Sequence, residues 1–260
     1  VTSPLVHCDE QVEVMQRFRR EPFVIGGEVL EIPVYSGNAI RGMLRRAAAL
    51  RLCDLLEVED RTLPTDTFYL LFSGGYLQGS DYAHRVEETQ RLRELVPMLG
   101  LLGCSWGARI LHGLVDVWRA VPVCRELAGT AYLPDEIVED VVEDASYLPS
   151  VFDLLCEVSY TRRDDRSDDL ADDKSPVQMR YSYEALVPGT RLYHGLVVRT
   201  TDPLMRGCLA DAVATCTQWR TLGGRAAIGH GRYTWTWEQT IADSHAEEAE
   251  ANRQHVRDHA

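Results

Sequence analysis

Residues 31–52 read EIPVYSGNAIRGMLRRAAALRL and predict a strand, a tight turn and a helix in succession. The stretch EVLEIPVYS (28–36) has the apolar and β-branched content of a strand, and it stops at Gly37-Asn38, a pair typical of turns. Behind the turn, apolar residues recur at helical spacing, at Ile40, Leu44, Ala47, Ala48 and Leu55. The chain is therefore predicted to pass from a strand into a helix next to Ser36.

The front of this predicted helix is rich in arginine. Arg41 and Arg45 are four residues apart and so lie on one side of the helix, with Arg46 beside them. Free N–H groups give a helix start partial positive charge, so cations there are mildly unfavourable unless an anion such as phosphate binds. The local pattern leaves two interpretations open: the arginines bind a phosphate, or they pair with Asp and Glu side chains on the surface.

The composition indicates a single domain with insertions, because 260 residues with 45% hydrophobic content can bury one sizeable core. No apolar stretch is long enough to span a membrane, and the start resembles neither a signal sequence nor a transit peptide, so we expect a soluble, cytoplasmic protein without a membrane partner. The net charge of −13 does not exclude nucleic acid, because binding depends on a local basic patch. Acidic residues concentrate in 134–145, in 164–173 and after Trp237.

The cysteines and histidines show no metal-ligand spacing. Seven cysteines are scattered, without a C-x-x-C pair, and we predict that they are reduced and mostly buried. The eight histidines form no ligand pattern either, so we predict no metal and no cofactor.

Further along, strands alternate with helices in a pattern that favours an antiparallel α+β fold. A helix is predicted until Pro97, a polar hairpin tip at 161–176, and a helix opened by Asp202-Pro203 and ended by Gly223-Gly224. Tyr233, Trp235 and Trp237 alternate as in a final strand, and the tail from Ser244 is predicted to fray or to extend as a helix. The glycines before them do not form a Walker A loop, because His230 stands where lysine is required.

Two motifs taken together resemble the RAMP superfamily of CRISPR-associated proteins. IPVYSGNAIRGMLRRA resembles the early signature I-P-x-S-S-L-K-G-x-L-R, and LGGRAAIGHGRY resembles the glycine loop L-G-G-x-x-x-x-G-x-G-R that precedes the last strand. Their order and separation are similar to those of the large backbone subunits. Between them, the insertion HRVEETQRLRELVPMLGLLGCSWG (84–107) is most similar to that of the type IV subunit, and the type III subunit is next. The sequence departs from the signature at Tyr35, Asn38 and Arg41, and Arg41 keeps the charge of the usual lysine.

The resemblance implies a ferredoxin-like, RRM-related palm with a finger insertion and a β-hairpin thumb. The implied limits are palm at 1–56 and 186–240, fingers at about 57–150, thumb at about 151–185 and a tail at 241–260. Most of the first palm strand is expected upstream of Val1.

The resemblance also implies a function. Such subunits oligomerise head to tail along a guide RNA (crRNA), bind its phosphates without reading sequence and present it to a complementary nucleic-acid target, together with other effector subunits. The residues implied in RNA binding are Ser36, Gly37, Asn38, Arg41, Arg45, Gly223, Gly224, Arg225 and His230.

A catalytic alternative remains open at this stage. Type III backbone subunits cut target RNA with a loop aspartate and a divalent metal, and the nearest counterpart here is Asp9, with Glu10 beside it. We favour a non-catalytic scaffold, because the glycines of the type III loop are absent and a single carboxylate is a poor basis for metal catalysis. A third, weaker hypothesis is a guide-processing nuclease that uses His7 or His230 for acid/base work.

Overall fold

The computed structural model describes residues 1–12, 15–76, 86–161, 180–236 and 245–259, and it has mixed α and β structure as predicted. The strands are β1 (Cys8–Val12), β2 (Met15–Phe18), β3 (Arg20–Ile25), β4 (Glu28–Pro33), β5 (Cys104–Trp106), β6 (Arg109–Leu111), β7 (Val115–Val117), β8 (Val121–Pro122), β9 (Leu155–Thr161), β10 (Arg180–Leu186), β11 (Leu192–Tyr193) and β12 (Leu196–Val198). The helices are α1 (Gly37–Leu55), α2 (Thr65–Ser73), α3 (Val86–Leu95), α4 (Pro97–Leu102), α5 (Asp135–Glu139), α6 (Pro203–Gln218) and α7 (Ala246–Asp258).

The chain divides into two compact units, each built from separate stretches of sequence. The first unit comprises Val1–Tyr35, Ala120–Tyr193 and Thr221–Tyr233, and the second comprises Ser36–Arg119, His194–Arg220 and Thr234–Ala260. The limits of palm, fingers and thumb that the resemblance implies differ from the limits of these two units, and they stay predictions.

A four-stranded sheet in the order β1-β2-β10-β9 organises the first unit. β2 runs parallel to β10, while β1 pairs antiparallel with β2, and β9 pairs antiparallel with β10 along seven residues. On one face of the sheet Tyr183 is 1% exposed and packs with Val6 and Ala185, so apolar burial fixes the register of β10. The ferredoxin-like arrangement expected of this part of the chain stays a prediction.

Helices dominate the second unit. α6 packs against both α1 and α7, and small residues let these helices approach closely: Ala47, Ala48 and Ala49 of α1 are buried. At Gly207 of α6, a side chain would collide with the main chain of α7 at Glu248. Two short antiparallel pairs, β5 with β6 and β7 with β12, complete the unit.

Most of the elements predicted from sequence are present. β4 leads into α1, whose cap is Ser36: its Oγ accepts a hydrogen bond from the Ala39 N–H at 3.2 Å. Asp202 caps α6 in the same way, through Leu204 N–H at 2.9 Å, but α6 ends at Gln218 and does not reach the glycine pair. The tail contains a helix, α7, as one of the two predictions had it.

Two other predictions have a different outcome. Residues 233–236 are not in a strand, so the predicted final strand is wrong for the part that is described, and Trp237 lies outside the described residues. The predicted hairpin tip at 161–176 lies almost entirely outside them too, although the strands that flank it, β9 and β10, are paired.

The cysteine prediction is confirmed. All seven are free thiols, and five of them are buried. In the described part of the chain, no helix combines the length and apolarity needed to cross a membrane.

Candidate nucleic-acid interface

The first turn of α1 is fixed by close packing inside the second unit. Ser36 caps the helix, and Gly37 is required because a β-carbon there would collide with the main-chain carbonyl of Val117. Asn38 is exposed. Gly37 and Asn38, predicted as a separate turn, are therefore the first residues of α1, and the outer side of this first helical turn is available to a ligand.

Arg41 and Arg45 lie on the same side of α1, as their spacing predicts, but they face main-chain carbonyls. Arg41 donates from Nη2 to the Leu102 carbonyl at 2.5 Å and from Nη1 to the Val115 carbonyl at 3.0 Å. Arg45 donates from Nη2 to the carbonyls of Leu102 at 2.9 Å and Gly103 at 2.7 Å. Burial lowers the pKa of both guanidinium groups, and the neighbouring Arg41 lowers that of Arg45 further.

The sequence left open whether these arginines bind a phosphate or pair with Asp and Glu side chains, and in the structure they bind main-chain carbonyls instead. Arg45 is only 7% exposed, and in the described ranges no carboxylate lies within ion-pair distance of Arg41 or Arg45. We therefore assign Arg45 a structural role and do not include it among the proposed phosphate contacts.

The outer face of α1 carries a different set of residues. Asn38, Gly42 and Arg46 are exposed and spaced by four, so they form one stripe along the helix. Arg46 lies 5.9 Å from the ring centroid of Trp219. Arg46 is not among the residues that the resemblance implies in RNA binding, although its spacing of eight from Asn38 indicates the same side of the helix.

The glycine loop, residues 223–231, belongs to the first unit and is closed by contacts within that unit. Gly224 N–H donates to the Val6 carbonyl at 2.9 Å, and Gly231 N–H donates to the Pro4 carbonyl at 2.7 Å. Gly223 has φ +70°, and a side chain there would meet the Val6 carbonyl. The absence of a side chain at Gly223 therefore lets the main chain at Val6 come close to the loop. Gly223 and Gly224 nevertheless remain exposed.

Arg225 is held in this loop in an unusual conformation. Its φ of +64° is left-handed, which is costly for a residue with a side chain. Its guanidinium lies 4.1 Å from the ring centroid of Tyr183 and 4.9 Å from that of Tyr160, and Nη2 donates to Gln16 Oε1 at 3.4 Å. Tyr160 is 40% exposed. The result is a positioned cation next to an accessible aromatic ring.

His230 is paired inside the loop region. Its Nε2 lies 2.7 Å from the hydroxyl of Tyr183. Desolvation and then Arg225 lower the pKa of His230, which favours the neutral form of the ring. A neutral, hydrogen-bonded imidazole supports the loop, and it adds no positive charge for a phosphate.

The residues named for the catalytic alternatives also have close neighbours in the first unit. Asp9 Oδ2 lies 3.2 Å from Nη1 of Arg19. Both Asp9 and Glu10 line an open groove of about 900 Å³. The ring of His7 lies 4.5 Å from that of Tyr35, and burial and then Arg19 lower the pKa of His7.

No protein-family model matches the sequence, and no curated protein matches it either. Solved structures do match. One is a chain of a "Type IV-B CRISPR Complex", which is 24% identical with a TM-score of 0.59 over 90% of this chain and 85% of that one. Another is Csc2 of Thermofilum pendens, 15% identical with a TM-score of 0.37 over 99% of this chain and 72% of that one.

The chain thus shares its fold with a chain of a type IV-B CRISPR complex. This likeness agrees, for the fold alone, with the resemblance found in the sequence.

Proposed function

We propose that this protein is a backbone subunit of a CRISPR effector complex, which assembles with copies of itself along a guide RNA and grips the RNA phosphates without reading the bases. The observation that carries the proposal is the fold shared with a chain of the type IV-B CRISPR complex over 90% of this chain. Other effector subunits and a complementary target strand are the further partners that such a role requires.

The local chemistry supports phosphate contacts in each unit. In the first unit, Arg225 is the positioned cation of an exposed loop, and it sits against the ring of Tyr160. In the second unit, Asn38 and Arg46 lie on the exposed face of α1, beginning at its N-terminal turn. Guanidinium and amide donors of this kind hold phosphates whatever the base sequence, which suits a subunit that must accept any guide.

The proposed role is that of a scaffold. The Asp9 carboxylate, which would have to serve the catalytic alternative, is engaged by Arg19. We expect complementary labelled RNA to remain intact when it is incubated with the assembled particle and Mg²⁺. Cleavage at regular intervals that Asp9→Ala abolishes would instead establish a metal-dependent endoribonuclease.

RNA affinity measured in a salt series tests the phosphate contacts. Arg225→Gln and Arg46→Gln are each expected to weaken binding of two unrelated guide RNAs by the same factor, and to reduce the slope of log K against log salt by about one. Arg61→Gln is the matched control, because Arg61 is 79% exposed and pairs with Glu59 on another part of the second unit. Unchanged affinity in both test variants, or an effect confined to one guide, would contradict the proposed contacts.

A further inference from the structure

Trp118 is an exposed tryptophan whose backbone N–H and carbonyl groups are both hydrogen-bonded. The residue follows β7 in the second unit and is 51% exposed. Its N–H donates to the Gly195 carbonyl at 3.0 Å, and its own carbonyl lies 3.0 Å from Nδ1 of His194. Because a carbonyl only accepts, Nδ1 is the protonated nitrogen of that ring.

The indole ring packs against a glycine. A β-carbon built at Gly195 would be 2.7 Å from Cε3 and 3.1 Å from Cζ3 of Trp118, so no larger residue fits next to the ring in this position. The main chain at Gly195 therefore holds the ring in place, while about half of the residue stays exposed. An aromatic ring fixed in this way can receive another flat group without losing rotational freedom.

The backbone of Trp118 contacts the first turn of α1. A β-carbon at Gly37 would lie about 3.1 Å from the carbonyl carbon of Trp118, so the two backbone segments are in contact. The exposed residues here include Asn38 and, next to the tryptophan in sequence, Arg119. This is the surface on which the proposed function requires RNA phosphates.

We propose that Trp118 is a stacking platform for one unpaired base of the RNA bound at the turn Ser36–Asn38. The inference rests on the proposed function and adds to it a contact with the face of a base. Stacking on an aromatic ring is tolerant of sequence because every base has a π-face, so the contact is compatible with guides of any sequence. Placing a phosphate at the turn and a base on the ring would also set the direction of the strand.

The test combines protein variants with two RNAs of equal charge. Parent, Trp118→Ala and Trp118→Tyr proteins are titrated with a single-stranded oligoribonucleotide and with an abasic oligomer of the same length. Trp118→Ala is expected to lose about ten-fold in affinity for the base-containing strand, the loss typical of one stacked base, and nothing for the abasic strand. Trp118→Tyr, which keeps a ring, is expected to recover most of the affinity.

Gly195→Ala is a second variant that keeps the indole and displaces it, so it should reproduce the loss seen with Trp118→Ala. Tyr147→Ala, at a tyrosine that is 79% exposed in the first unit, is the control and should bind both strands like the parent. Thermal unfolding of each variant verifies that it is folded.

The outcomes separate the two proposals. If the parent binds RNA but Trp118→Ala binds the base-containing strand equally well, the platform is wrong and the proposed function stands. The same conclusion follows if Trp118→Ala lowers only the mass of the assembled particle, because the indole then contacts a neighbouring copy. If the parent binds neither strand at low salt, the proposed function fails and the platform fails with it.

Discussion

Arg45 was predicted to contact RNA phosphates, but its buried guanidinium group binds main-chain carbonyls. It links α1 to the end of α4 by donating to the carbonyls of Leu102 and Gly103. The sequence could indicate its side of the helix through the spacing from Arg41, but the groups opposite lie 57 and 58 residues away along the chain. Helical periodicity carries no information about such partners, so a phosphate and a carbonyl could not be distinguished.

Replacing Arg45 should therefore destabilise the protein. Arg45→Met keeps much of the volume but leaves the Gly103 carbonyl without its charged donor and the Leu102 carbonyl with Arg41 alone, and we expect the free energy of unfolding to fall by about 2 kcal/mol. The neighbouring exposed residue gives the matched control, Arg46→Met, which should stay within about 0.5 kcal/mol of the parent. Urea unfolding measures both, and equal stability of the two variants would refute the structural role.

His194 makes stability depend on pH. Burial lowers its pKa from the ordinary 6.5 to about 4. Between pH 6.5 and pH 4 the imidazole of His194 is therefore protonated in the unfolded chain and neutral in the folded chain. Because the unfolded state binds the extra proton, the free energy of unfolding falls as pH drops from about 6.5 toward 4, by roughly 3 kcal/mol at most. His194→Asn, whose amide can still donate to the Trp118 carbonyl, should lose less stability between pH 7.5 and pH 5 than the parent. An identical pH dependence in the two proteins would show that His194 does not contribute.

At the scale of elements, local sequence signals predicted those structures that local interactions determine. The strand before Ser36, the cap itself and the capped helix at Asp202 all depend on residues within a few positions of one another. The end of the chain was harder to predict. Period two at Tyr233 and Trp235 indicated a strand, but a strand also needs a neighbouring backbone with free hydrogen-bonding groups, and the sequence does not reveal whether one is present.

The glycine loop illustrates the same limit. Its glycines were predicted to admit RNA, whereas Gly223 and Gly231 are needed because main chain of the first unit passes beside them. The residue of the loop that we propose to contact RNA is Arg225. Its backbone is left-handed, and its guanidinium lies over two tyrosine rings. Tyr160 and Tyr183 come from strands far away in sequence, so only the fold could bring them to this cation.

The packing of α7 on α6 predicts opposite effects for two glycine substitutions in helices. Gly207→Ala should destabilise the second unit and increase hydrogen exchange in α7, since the added methyl group collides with main chain at Glu248. Gly42→Ala is the control, because nothing lies within 4 Å of a β-carbon at this exposed position of α1. It should stabilise the protein by about 0.5–1 kcal/mol. Destabilisation by both substitutions, or by neither, would contradict the observed packing.

On the scale of the whole molecule, a net charge of −13 has to be reconciled with a polyanionic partner. Local arginines can bind phosphates while the rest of the surface repels them, so we expect weak binding by an isolated chain, with a salt dependence set by the few phosphates that it contacts. Assembly along one RNA would compensate, because each added copy binds next to a copy that is already in place.

The most direct measurement is the mass of the particles that form on RNAs of increasing length at low ionic strength, together with their ratio of absorbance at 260 and 280 nm. The account predicts that RNA co-purifies with the protein and that the particle gains whole protein chains in steps as the RNA becomes longer. A single chain that carries no RNA and stays monomeric whatever transcript is added would contradict it.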